Sequence, residues 1–226
     1  MKKLVILTGA GISAESGIST FRDAGGLWEK YPVQQVASHD GWLADPELVN
    51  RFYNERRRQL FGVKPNRAHE LVARLERHFD VAVVTQNVDN LHERAGSKRV
   101  LHMHGDLMRL TCEHNPKHEF LFDGEETLET RCPFCGAMTR PDIVFFGEQP
   151  LYMEEIQDAL QHCKEFVYIG TSSVVYPAAG FKSFAKSFGA KVTCLNLEVP
   201  TSDPYTDIFV QGKATEIVPK WCEEFK

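Results

Sequence analysis

Leu4-Val5-Ile6-Leu7-Thr8-Gly9-Ala10-Gly11-Ile12-Ser13-Ala14 is the stretch that decides the fold. Its first five residues form a continuous apolar run, which predicts a strand buried on both faces of a parallel sheet. The run ends in G-x-G-x-x-A, a spacing suited to a tight turn into a helix. The first glycine permits the turn, the second lets backbone approach a pyrophosphate, and the small third position allows close helix–strand packing. Amide groups at the helix start would then face the anion. The same turn without a ligand is the plainer alternative. The acidic residue usual about 20 positions further on is missing, and Glu198, after the apolar run Val192 to Leu197, is the candidate for a ribose hydroxyl. A solvated loop carboxylate is the other reading of Glu198.

Outward from this turn the pattern repeats. Apolar runs recur at Val81 to Thr85, Phe166 to Gly170 and Lys191 to Leu197. Helical periodicity fills Asn66 to His78, Met153 to His162 and Ala178 to Phe188. Such alternation predicts an α/β fold with a doubly wound, Rossmann-like parallel sheet. Two stretches stand apart. Leu27 to Gly62 is polar, aromatic and helical in pattern, with Asp45-Pro46-Glu47 as a helix start, and Leu110 to Arg140 is rich in Cys, His, Glu and Gly. We read a core over 1–26, 63–109 and 141–226, and a smaller lobe from insertions over 27–62 and 110–140, with a ligand cleft between them.

The chain of 226 residues suffices for one such unit, and its net charge of −5 gives no basic footprint for nucleic acid. No apolar run is long enough to span a bilayer. Met1-Lys2-Lys3 followed by Leu4 to Leu7 resembles a signal-peptide start, but the run is short and enters the glycine turn, so the chain reads as cytoplasmic. Cys163, Cys194 and Cys222 sit among apolar neighbours and read as buried thiols.

Two clusters carry candidate chemistry. Thr85-Gln86-Asn87-Val88-Asp89-Asn90 closes an apolar run, and strand ends of this kind line the ligand crevice of open α/β sheets. Amides suit a carboxamide and a ribose, and a carboxylate suits a cation or a water. A capped helix start at Asn87 or Asp89 is the competing and compatible reading. Further on, His102 and His104 alternate, so that on a strand both would face one way, and Gly105 leaves the His104 ring approachable. Imidazole is the usual general base near neutral pH.

These pieces occur together, in order, in the sirtuins. Gly9-Ala10-Gly11-Ile12-Ser13 with Gly17-Ile18 and Thr20-Phe21-Arg22 resembles the sirtuin nucleotide loop; Thr85-Gln86-Asn87-Val88-Asp89 resembles its TQN-x-D segment; and His104-Gly105 is similar to its catalytic HG. Phe146-Gly147-Glu148, Gly170-Thr171-Ser172 and Asn196-Leu197-Glu198 resemble later elements, so the likeness covers nearly the whole chain. It implies an NAD-dependent lysine deacylase acting on acyl-lysine proteins or peptides, with NAD as co-substrate. In that mechanism the acyl oxygen attacks the nicotinamide ribose and expels nicotinamide. His104 then activates a ribose hydroxyl, and water releases free lysine and O-acyl-ADP-ribose. Asn87 and Asp89 would hold the ribose, a water and the carboxamide. Phe21 would shield the reacting carbon. The nucleotide site would further include Arg22, Trp28, Gln86, Val88, Gly170, Thr171, Ser172, Asn196, Leu197, Glu198 and Ala214. The peptide would lie between Val144-Phe145-Phe146-Gly147 and the loop after Ser172. An ADP-ribosyltransferase and a non-enzymatic NAD-binding sensor are the alternatives, and the presence of His104, Asn87 and Asp89 together argues for catalysis.

Two features refine the resemblance. Sirtuins commonly carry a structural zinc on two Cys pairs; here Cys132-Pro133-Phe134-Cys135 supplies one pair, while Cys112 has Asn115 where its partner would fall. His114 or His118 would complete a Cys3His set, and a lapsed site held by packing is the alternative. Tyr53 and Arg56 lie within Pro46 to Leu60 at i, i+3, on one helical face. Spacing alone fits a solvated helix, with Arg51, Arg57 and Arg58 nearby. The resemblance makes Tyr-x-x-Arg the mark of sirtuins that remove succinyl and malonyl groups, and Ala24 is consistent with a roomy acyl channel.

Overall fold

The computed structural model describes residues 1–18, 31–172, 174–198 and 202–225. Strand β1 (Lys2–Thr8) runs into the short helix α1 (Ala10–Ser13). Two short helices, α2 (Val33–Val36) and α3 (His39–Ala44), precede the long α4 (Pro46–Gly62). The chain then enters α5 (Arg67–Arg74), β2 (Phe79–Thr85), α6 (Leu91–Ala95) and β3 (Val100–His102). Three strands follow, β4 (Gly105–Cys112), β5 (Glu119–Leu121) and β6 (Thr139–Ile143). The last stretch comprises α7 (Met153–His162), β7 (Glu165–Ile169), α8 (Phe181–Ser187), β8 (Lys191–Asn196), β9 (Ile208–Gln211) and α9 (Ala214–Cys222).

The large sheet has the order β3-β2-β1-β7-β8-β9, and every pairing in it is parallel. This is the doubly wound order, whose winding reverses between β1 and β7. The apolar strands explain the layers. Val5 and Leu7 of β1 face one buried cluster with Ala82, Val84, Phe166 and α7; Leu4 and Ile6 face another with Val81, Val83, Val167, Ile169 and α9. Each fully buried Ile, Val or Leu contributes roughly 1.5–3 kcal/mol over its exposed state, so a strand apolar on both faces is held only when both faces are covered. Strand β9 was not anticipated. It lies at the sheet edge with alternating half-buried and exposed residues, too short to show a period.

A separate sheet, β5-β4-β6, is antiparallel. It packs with α2, α3 and α4 around Val36, Trp42, Phe52, Tyr53, Leu107, Ile143 and Phe145. Asp45 caps α4 by accepting the Leu48 N–H at 2.9 Å, with Pro46 in the first turn, as the sequence predicts. Among the described residues no helix is long and apolar enough to cross a membrane.

Candidate active site

The glycine turn lies at the switch point of the large sheet. Gly9 and Gly11 press backbone against backbone on Gly170: a Cβ on Gly9 would stand 2.8 Å from the Gly170 oxygen, and one on Gly11 2.7 Å from the Gly170 Cα. Gly170 itself has φ +61°, which favours glycine, and the Gly11 N–H donates to its carbonyl at 2.9 Å. The G-x-G turn is therefore bound to the end of β7, with Ile12 and Ser13 buried beneath it.

β1 and β2 are in register, so Thr8 and Thr85 stand side by side at the carboxyl ends of their strands. Behind them lies a buried polar network. Thr8 Oγ1 donates to Thr85 Oγ1 at 2.9 Å, and Thr85 Oγ1 accepts the Asn87 N–H at 3.0 Å. Asn87 Nδ2 donates to the Gly9 carbonyl and to Ser13 Oγ, both at 3.1 Å, and Ser13 Oγ donates to Asp89 Oδ2 at 2.9 Å. Burial pushes the Asp89 carboxyl above its ordinary range, against the hydrogen bonds from Leu91 N–H and Ser13. Asn87 and Asp89 are thus fixed on the glycine turn.

His69 and His92 support this network. Sequence reading passed over both, because a lone His carries no distinguishing signal. His69 Nδ1 accepts the Asn66 N–H at 3.3 Å, which leaves Nε2–H facing Ser13 Oγ at 3.4 Å. Burial pushes His69 down to about 4, so the ring is neutral and this tautomer persists at neutral pH. His92 lies against it with ring centroids 4.9 Å apart and reaches Thr8 Oγ1 at 3.0 Å.

His104 is half-buried, and its Nδ1 lies 3.1 Å from the Gln86 carbonyl. A carbonyl only accepts, so Nδ1 carries the proton and Nε2 keeps a free lone pair. Burial lowers the His104 pKa below 6.5, against the Gln86 bond, so the neutral ring dominates at pH 7. This is the state a general base requires.

Thr171 Oγ1 donates to Gln86 Oε1 at 2.7 Å, and Asn196 Nδ2 donates to the Thr171 carbonyl at 2.7 Å. Ser172, Leu197 and Glu198 are exposed at the ends of β7 and β8, and Ala214 is buried at the start of α9. Val144 N–H donates to the His104 carbonyl at 3.0 Å, and Phe146 N–H donates to the Ala37 carbonyl at 2.8 Å. The segment from Val144 to Gly147 therefore runs beside His104, with Phe146 exposed and Gly147 at φ +96°. Phe21, Arg22, Ala24 and Trp28 lie outside the described residues.

Helix α4 presents Tyr53 and Arg56 on one face. The Tyr53 ring is buried and stands 6.2 Å from that of Phe145; the Arg56 guanidinium lies 5.8 Å from the Tyr53 ring centroid. Burial raises the Tyr53 hydroxyl to about 12, so it stays a neutral donor. Burial works against the Arg56 charge, while Tyr53 and Asp89 favour it. The same helix is tied to the Cys-containing segment from its other side. Asn54 Nδ2 donates to the Glu126 carbonyl at 2.8 Å, Asn54 Oδ1 accepts the Glu126 N–H at 3.0 Å, and the buried Arg57 donates to Asn54 Oδ1 at 2.7 Å and to the Leu107 carbonyl at 2.9 Å.

Cys112, His118, Cys132 and Cys135 bring one ligand atom each to within 4.8 Å of one another. The Cys112 and Cys135 sulfurs are 3.5 Å apart, and Cys132 Sγ lies 3.7 Å from His118 Nδ1. Edges of this length suit a tetrahedron of Zn–S bonds near 2.3 Å and a Zn–N bond near 2.0 Å. Of the two candidate histidines, His118 joins the group. Asn115, in the place of a missing cysteine, sets its amide Nδ2 3.0 Å from His118 Nε2.

The pattern that defines the Sir2 family matches residues 9–177. An NAD-dependent protein deacylase of Pasteurella multocida is 50% identical over 99% of this chain and 97% of its own length. One from Leishmania major is 50% identical over 98% and 94%. A solved Sir2 homologue in complex with NAD superposes with a TM-score of 0.88 at 36% identity, covering 98% of this chain and 88% of that one. A Sir2 protein with a deacetylated p53 peptide and 3′-O-acetyl-ADP-ribose gives a TM-score of 0.84 at 34% identity, over 98% and 93%.

Proposed function

The chain belongs to the Sir2 family and is an NAD-dependent protein deacylase, and from that premise we propose that it removes succinyl and malonyl groups, alongside acetyl groups, from protein lysines. The observation that carries the acyl preference is the α4 face. Tyr53 and Arg56 lie together between Phe145 and the electrostatic reach of Asp89. A half-buried guanidinium takes a carboxylate in a two-pronged contact, and a neutral phenol adds a third donor. An acetyl group offers neither of them a partner.

In this proposal the reaction follows from the protonation states. NAD lies with its pyrophosphate on the Gly9–Ser13 turn and its nicotinamide ribose toward Asn87 and Asp89. Gln86, Thr171, Ser172, Asn196, Leu197, Glu198 and Ala214 serve the nucleotide's other end. The acyl-lysine enters along Val144, Phe146 and Gly147, pairing by backbone. Its amide oxygen displaces nicotinamide. His104 then takes a ribose hydroxyl proton on Nε2 while Nδ1–H stays on Gln86, and the hydroxyl attacks the acyl carbon. Zinc, held by Cys112, His118, Cys132 and Cys135, would staple the small sheet and take no part in the chemistry.

The test is kcat/KM on succinyl and acetyl forms of one peptide. Arg56→Met should weaken transition-state binding of the succinyl peptide by about 2–5 kcal/mol, the cost of truncating one partner of a buried charge pair, and leave the acetyl peptide nearly unchanged. Equal losses on both peptides would show that Arg56 serves structure and does not read the acyl carboxylate.

A further inference from the structure

The loop that carries Asn87 and Asp89 is held carbonyl by carbonyl from the segment 102–107. Thr85 O accepts the Met103 N–H at 3.0 Å, and Val88 O accepts the Leu107 N–H at 2.8 Å. Between them the loop leaves strand register with β3, and no main-chain amide of that segment bonds the next two carbonyls. Imidazoles take over: His104 Nδ1 lies 3.1 Å from Gln86 O, and His102 Nδ1 lies 3.2 Å from Asn87 O. The two alternating histidines of His102-Met103-His104 thus hold successive carbonyls of the proposed reacting loop.

His102 differs from His104 in its second nitrogen. Its Nε2 lies 2.7 Å from Glu93 Oε1, on α6. Both partners are acceptors, so both ring nitrogens must donate, and the ring is an imidazolium. Burial opposes that charge, but Glu93, Asp106 and the Asn87 carbonyl outweigh it and raise the pKa. A buried cation with no lone pair to offer is no base.

We propose that His102 is a positioning residue for the deacylation, clamped by Glu93 so that its Nδ1–H fixes the Asn87 carbonyl and with it the Asn87 and Asp89 side chains. The inference rests on the reading that Asn87, Asp89 and His104 serve the reaction. Displacing reacting groups by about 1 Å costs roughly a hundredfold in rate, so the clamp should act on turnover more than on NAD binding, which draws also on the Gly9–Ser13 turn.

Two substitutions separate the ring nitrogens. The amide nitrogen of Asn falls near the place of Nδ1, and that of Gln near the place of Nε2. His102→Ala should lower kcat by roughly ten- to a hundredfold, with a smaller change in KM for NAD. His102→Asn keeps a donor for the Asn87 carbonyl and should recover most of that loss. His102→Gln keeps only the Glu93 contact and should recover little. Melting temperatures of all three are measured beside the rates. Equal turnover in the Asn and Gln variants, tracking their melting temperatures, would overturn the proposal, and so would wild-type turnover in His102→Ala. His104→Ala serves as the control: if it retains turnover, the reading of the site fails, independently of the comparison at His102.

Discussion

Glu126 offers a quantitative test of how α4 is held against the Cys-containing segment. Its side chain is only 2% exposed; Oε1 accepts from Thr139 Oγ1 at 2.9 Å, and Oε2 is buried without a partner among the described residues. Burial pushes the carboxyl up from 4.5 to about 7, against the Thr139 bond and the Arg57 charge. The folded protein therefore binds this proton more tightly than the unfolded chain does. Its stabilising contribution is full below pH 4.5 and is lost as pH rises through about 7. A rise from 4.5 to about 7 at about 1.4 kcal/mol per pH unit amounts to roughly 3 kcal/mol. Glu126→Gln keeps the shape and cannot ionise. It should come within about 1 kcal/mol of wild type at pH 5 and exceed it at pH 8 by up to about 3 kcal/mol, or roughly 6–12 °C in Tm for a domain of this size. The assay is thermal unfolding of both proteins at fixed metal content across pH 5–8, read as the difference between them, which cancels groups common to both. A difference that stays flat with pH would refute the reasoning.

His104→Ala should leave the fold and NAD affinity in place while turnover falls by roughly 10²–10⁴-fold, as steady-state rates and a nicotinamide-release assay will measure. In wild type, kcat/KM should fall on the acid side as pH drops through a value below 6.5, because burial lowers the base's pKa; an acid limb centred above 6.5 would contradict this assignment. Metal analysis of the purified protein should find about one zinc per chain. His118→Ala and Cys132→Ala should each lose it and lower Tm, and a metal-free protein of unchanged stability would show that the four side chains merely pack together.

The large sheet was legible because its strands are apolar throughout. Leu4–Thr8 and Val81–Thr85 need no periodicity to declare themselves, and the G-x-G turn marks where the first of them ends. Asn87, Asp89 and His104 stood out as candidates for a different reason: they are polar groups just past the ends of apolar strands. The three-stranded sheet was not legible. β5 has three residues, and β4 has a register shift between Gly105 and Leu110, so neither sustains an alternation. His69, His92 and the clamp at His102 were hidden too, since their partners, main-chain groups, hydroxyls and the Glu93 carboxylate, are brought close only by folding. The choice of His118 over His114 likewise depends on the turn that the Asn115 carbonyl closes with the His118 N–H at 2.8 Å.

The contact between Gly9, Gly11 and Gly170 bears on how this sequence can drift. At most core positions an oversized substitution can be rescued by shrinking a neighbour. Here the neighbours are main-chain atoms: a methyl on Gly170 would stand 2.5 Å from the Ile12 nitrogen, and one on Gly11 2.7 Å from the Gly170 Cα. Nothing smaller exists to put opposite them. A suppressor would have to shift a whole strand, and with it the register that sets Thr8 beside Thr85. The seam between the two halves of the sheet is thus a place without compensatory partners, where each glycine is constrained by the others and none can change first.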